Sequence, residues 1–174
     1  MKNTLAIALS LLVLTLPGCG KGVSSSQALQ YNNALVDAYQ RIGKAMIAFG
    51  KAAGEALEGQ IIEVAKAKRE HENLVEAVGR TRADIRIIPI PKSETAKKFH
   101  DEVDSLLAGQ EKMVKEDMHS IVKVLENSSL SARDRQRKIV PIVQYLDGMD
   151  RDAYGPVRQA QAEFARAHGF QIKN

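Results

Sequence analysis

The feature that most constrains this chain is the return of apolar side chains at steps of three, four or seven residues along most of its length. Leu29, Val36, Tyr39, Ile42, Met46, Phe49, Ala53 and Leu57 recur at that spacing, and a helix of 3.6 residues per turn stacks them into one stripe. Gly54 and Gly59 put a break near residues 55–60, although Ile61, Val64, His71, Val75 and Val78 allow the stripe to continue as one long bent helix. Each proline of Ile87-Ile88-Pro89-Ile90-Pro91 disfavours helix in the residue before it and has no N–H to donate. The second helix is therefore expected to run to about Asp84.

A third helix should start near Ser93, an N-cap with Glu94 in the first turn to complement the helix dipole. It carries Phe99, Val103, Leu106, Met113, Ile121 and Val124, and should end at Asn127-Ser128-Ser129. Ser131 followed by Asp134 resembles a capping box with Asp in the usual Glu position. The fourth helix then aligns Ile139, Val143, Leu146, Met149, Ala153, Val157, Ala160 and Phe164. Pro141 and Pro156 lie inside that pattern and predict kinks, with an interruption at Gly155-Pro156. Gly169 is expected to close the helix and Phe170 to fold back over its end.

Four amphipathic segments with short connections define an all-α chain, an elongated antiparallel four-helix bundle about 45 Å long with a kinked last helix. Apolar residues make up 44% of the chain but aromatics only 5%, with no Trp. A core of Ala, Leu, Ile and Val suits close-packed helices better than a sandwich. Net charge is +4, from 25 basic and 21 acidic residues mixed along the chain, which reads as a solvated surface and not a nucleic-acid footprint.

Ahead of the periodic region stands a different kind of segment. Lys2 precedes an uncharged, mainly apolar run from Leu5 to Leu14, and small residues then lead to a cysteine, the layout of an export signal. The apolar stretch before Pro17 is about 12 residues, short of the roughly 20 that a membrane span needs. Leu16-Pro17-Gly18-Cys19 resembles the lipobox of bacterial lipoproteins, with Leu16, Gly18 and Cys19 matching and Pro17 standing where the family has a small or aliphatic residue. The resemblance implies cleavage before Cys19 and acylation of its thiol, palmitate included. Cys19 is the only cysteine, so it has no internal disulfide partner. The chain then divides into a signal peptide (1–18), a lipidated linker (19–26) containing a Gly/Ser spacer, and a single bundle domain (27–174). Two or three acyl chains hold a protein at a membrane stably, where one is marginal. Gly20 follows the cysteine in place of the Asp that marks inner-membrane retention, so the resemblance favours the outer membrane. Tyr31-Asn32-Asn33, and Gln161, Phe164, Ala165, His168 and Phe170 at the other end, are similar to a loose group of small helical bacterial surface lipoproteins. That group implies class and location, and no activity.

Candidate chemistry is sparse. Gly18-Cys19-Gly20-Lys21-Gly22 lacks the spacing of a phosphate loop. Glu116 and His119 form one Glu-x-x-His pair of the kind that di-iron bundles use twice; no second pair exists, and both fall on the flank of their helix. His71-Glu72 begins like a zinc-protease motif, but Val75 occupies the second histidine's position. His100 and Asp104 are one turn apart and are expected to form a surface ion pair. His168 is expected to act as a charge at a helix C-terminus, and neither a haem attachment site nor a G-x-S-x-G elbow occurs. The expectation is no catalytic residue, no metal and no cofactor.

Topology supplies one further expectation. In an antiparallel bundle the start of helix one, the loop near 85–92 and the end of helix four share the lipid-bearing tip. Arg80, Arg82, Arg86, Lys92, Lys97 and Lys98 there face only Asp84 and Glu94 within the same stretch. With Ile87, Ile88 and Ile90 they form a candidate contact for anionic headgroups or a partner; the alternative is a solvated helix end with the isoleucines over the core. The sequence thus leads to a non-enzymatic envelope lipoprotein, a structural or protein-interaction bundle with a membrane anchor and an envelope protein partner. A ligand- or metal-binding bundle is the alternative.

Overall fold

The computed structural model describes residues 23–57 and 61–172, apart from the side chains of residues 149–151. The export segment, Cys19 and the linker through Gly22 lie outside the described residues, as does the side chain of Met149. Helix α1 spans Ser25–Ala56 and α2 spans Ile61–Ile87. Helix α3, Glu94–Met113, passes through a π-helical turn, Val114–Met118, into α4, His119–Glu126. Helix α5 spans Ala132–His168. The architecture is an all-helical bundle, as the spacing predicts.

The first two helices pair along a heptad seam. On α1, Ala28, Tyr31, Leu35, Ala38, Ile42, Ala45, Phe49, Ala52 and Ala56 alternate steps of three and four and pack in the core. On α2 the buried set is Ala67, His71, Leu74, Val78, Thr81 and Ile85, with the same alternation. That 3.5-residue repeat keeps one face of each helix turned to its partner. The stripe expected on α1 is displaced by about a residue, because the seam runs through Ala28, Tyr31, Leu35, Ala38, Ala52 and Ala56, which that stripe leaves out. Leu29 is left exposed, and Val36, Tyr39, Met46 and Ala53 are only half-buried. Ile61 is likewise exposed, not part of the α2 seam.

Helix ends follow their capping chemistry. Ser24 and Gln27 form a reciprocal capping box that fixes how the chain enters α1. Helix α2 runs three residues beyond the expected Asp84 and stops at Ile87, since Ile88 is the residue that Pro89 restricts. Ser93 caps α3, and Ser131 caps α5 through the Asp134 N–H at 3.2 Å. Gly169 ends α5 in the left-handed region at φ 67°, where a Cβ is unfavourable, and the Phe170 N–H returns to the Ala165 carbonyl at 3.2 Å. Helix α5 is continuous through both prolines, so the interruption expected at Gly155-Pro156 does not occur. A proline removes one N–H and crowds the turn before it, which bends a helix whose neighbours hold both sides.

Opposite ends of the bundle are identified by cross-links. At one end Ser25 Oγ donates to the His168 carbonyl at 2.5 Å, and Ser93 Oγ lies 3.0 Å from His168 Nε2, joining the starts of α1 and α3 to the end of α5. At the other, Lys66 pairs with Glu55 and Lys68 with Glu126, joining the start of α2 to the ends of α1 and α4. Neighbouring helices are therefore antiparallel. At 1.5 Å per residue the 32-residue α1 spans about 48 Å and the 37-residue α5 about 56 Å.

Candidate functional site

The entry end is where the chain before Val23 joins the bundle. Val23, half-buried against the core, shares a shallow groove of about 530 Å³ with Gln27, Tyr31, Ile88, Ile90 and Lys92. Ile87 is 79% exposed and Ile90 41%, while Ile88 packs against the core. Two of the three isoleucines expected at this tip thus face water. Beneath them, Tyr31, Phe99, Phe164, His168 and Phe170 interlock, with ring centroids from Phe164 to the others between 4.8 and 5.9 Å.

The expected cationic cluster is mostly neutralised. Arg82 bonds Asp104 at 3.0 Å and Glu111 at 2.9 Å, Arg86 shares Asp104, Arg80 pairs with Glu76, and Lys98 pairs with Glu163. Asp84 turns to Arg41. The acids that answer these bases come from earlier in α2 and from α3 and α5, outside the stretch within which the charges balance poorly. Only Lys92 and Lys97 of the six lack a carboxylate partner among the described residues. Arg82 holds the Asp104 carboxyl below its usual range, with Arg86 adding to the effect. Glu111 is lowered by Lys115 first and Arg82 second.

The expected pairing of His100 with Asp104 is also replaced. His100 is buried, with Nδ1 2.8 Å from the Tyr31 hydroxyl, while Asp104 is taken by the two arginines. Burial, and then the nearby Asp101 charge, push the Tyr31 hydroxyl's pKa upward, so it stays protonated. His168 is half-buried between Ser93 and Phe164, a strap between helices in addition to a terminal charge. His71 is buried, and its Nε2 must carry the proton because it faces the Val114 carbonyl at 2.9 Å. His119 lies against it at 5.5 Å between ring centroids, and Glu116 is exposed. No group of three or more His, Cys, Asp or Glu side chains among the described residues could hold a metal ion.

Toward the far end lies a feature that apolar spacing misses. Between α1, the π-turn with α4, and the first half of α5 opens a cleft of about 460 Å³. Met46, Phe49, Met113, Met118, Ile139 and Val143 form much of its wall, and Asp147, exposed, is its one ionisable group. Met113 and Met118, five residues apart across the π-turn, are both buried and both line this wall. His71, by bonding the Val114 carbonyl, satisfies a backbone group at the first residue of that turn.

No protein family, no curated protein and no solved structure matches the chain. No described helix is long and apolar enough to cross a membrane.

Proposed function

We propose that this chain is a lipid-anchored protein of the bacterial cell envelope, with the outer membrane favoured, whose bundle works by non-covalent binding and not by catalysis. The observation that carries the reading is the point of entry of the chain. Val23 shares a groove with the partly exposed Ile90, and Cys19 precedes it by four residues, a tether of at most about 14 Å. An acylated Cys19 would hold this tip at the lipid surface, with Lys92 and Lys97 available to headgroup phosphates. The membrane contact is then mainly apolar, with two cations and not six. Mass spectrometry of the mature protein tests the anchor: the expected product begins at Cys19 and carries acyl chains. A mature chain beginning elsewhere, or a bare thiol there, overturns it.

A second reading, a ligand-binding bundle, is favoured by the cleft at the other end. The two readings are compatible, since an anchored rod would carry its cleft away from the membrane that holds it. Crosslinking in intact cells, followed by identification of what is captured, would show whether an envelope protein is bound as well.

A further inference from the structure

We propose that the cleft between α1, α4 and α5 binds a single hydrocarbon tail, the acyl chain of a fatty acid or a phospholipid. The inference rests on the ligand-binding reading above and is independent of the anchor.

The chemistry of the wall selects the guest. Ligand sites ordinarily combine apolar walls with a few convergent polar groups that fix orientation, in volumes of about 300 to 1,000 Å³. This cleft has the volume, about 460 Å³, but its one ionisable side chain is Asp147 at the solvent-exposed edge. The buried part of the guest therefore carries no polar group. Its head stays outside in water.

A string of methylenes can thread this space. The lining suits a guest of variable shape: Met46, Met113 and Met118 have unbranched, adaptable side chains. Val143, on the wall, is about half exposed, and a tail would cover it. The anchor is not the natural occupant. Ser25 to Phe49 is about 36 Å along α1, so a lipid seated in the membrane at Cys19 lies at the opposite end.

Helix α1 supplies variants that test this without threatening the fold. A Cβ added at Gly43, Gly50 or Gly54 would meet no atom within 4 Å, and Gly50 and Gly54 line the cleft while Gly43 does not. Gly50→Leu with Gly54→Leu should fill the mouth, and Gly43→Leu is the matched control; all three changes favour helix. The protein is residues 20–174 in detergent-free solution, since the described helices supply a core of their own. The probe is the fluorescent fatty acid cis-parinaric acid. Saturable binding of one probe per chain, weakened at least tenfold by the double variant and unchanged by Gly43→Leu, is the expected result. Methyl resonances of Met46, Met113 and Met118 should shift on titration. Displacement by palmitate alone points to free fatty acids, and displacement by lysophosphatidylcholine as well points to membrane lipid; either supports the tail. No saturable binding, or equal binding by all three proteins, overturns the proposal and leaves the cleft to a protein partner. Tail binding by a chain that proves unacylated in cells would sink the anchor and keep this inference.

Discussion

The two halves of the rod are packed by different means. The half where the chain enters holds three of the four phenylalanines, Phe99, Phe164 and Phe170, locked edge-on or stacked around Tyr31. Polar bonds set their register: Tyr31 to His100, Asn32 to Gln161 at 2.8 Å, and Tyr39 to Gln110 at 2.8 Å. The far half has Phe49 alone, three of the chain's five methionines, and a cleft where α5 stands away from α1. Rigid rings with few rotamers specify one arrangement, whereas thioethers tolerate several. One sequence has thus placed its uniqueness at the tip where the chain enters the bundle and its adaptability at the opposite tip.

That contrast can be broken by truncation. Phe164→Ala removes a side chain with no exposure and at least four ring neighbours, and should cost about 3 to 5 kcal/mol in urea denaturation. Met113→Ala, beside space that already exists, should cost nearer to about 2 kcal/mol. Equal losses would show that the halves are not packed differently.

The π-turn offers a sharper cut. His71→Leu leaves the Val114 carbonyl without its buried donor, at about 1 to 3 kcal/mol. Hydrogen exchange should rise across 113–119 before it rises in the aromatic half; a uniform increase would mean that His71 supports the whole rod and not the turn.

Between the halves lies the partly exposed Arg82 network, and Arg82→Ala should cost about 1 to 2 kcal/mol at neutral pH. Asp104 and Glu111 are depressed in the folded protein, so their contribution is full above the unfolded values, near about 4. It is lost as pH falls through the lower folded values. The gap between the variant and the parent should therefore close in acid; a gap constant from pH 7 to 3 would assign the effect to packing. Smallest is Gly50→Ala, which should stabilise by about 0.5 to 1 kcal/mol, because the added methyl meets nothing and the helix loses a flexible residue.

Much of the fold is legible from spacing and caps. Ser93, Ser131 and Gly169 delimit helices as their chemistry dictates, and α1 ends at Ala56, inside the range read for a break. What escapes depends on partners distant in sequence. Asn32 is buried where Gln161 meets it across helices, which no apolar periodicity of α1 records, and Tyr31, on the seam, finds its hydroxyl's partner in the distant His100. Met118 lies five residues past Met113, a step that a spacing of three or four does not join, yet both line the cleft. Arg82 and Arg86 of α2 read as an open positive patch because Asp104 and Glu111, their counter-charges, lie 18 to 29 residues away. Of the cleft, Met46, Phe49, Met113, Ile139 and Val143 are visible as apolar stripe members; that the space between them stays open is not, because no single helix encodes a gap.

The clip between Ser25 and the last carbonyl of α5 has a mechanical consequence. Helix α1 is a single stave running from one cross-linked end of the bundle to the other, and the chain enters it at the end fastened to its neighbours. A pull along the rod axis from ahead of Val23 would have to slide that whole stave past its partners at once, loading every layer in shear, and could not unzip the bundle one turn at a time.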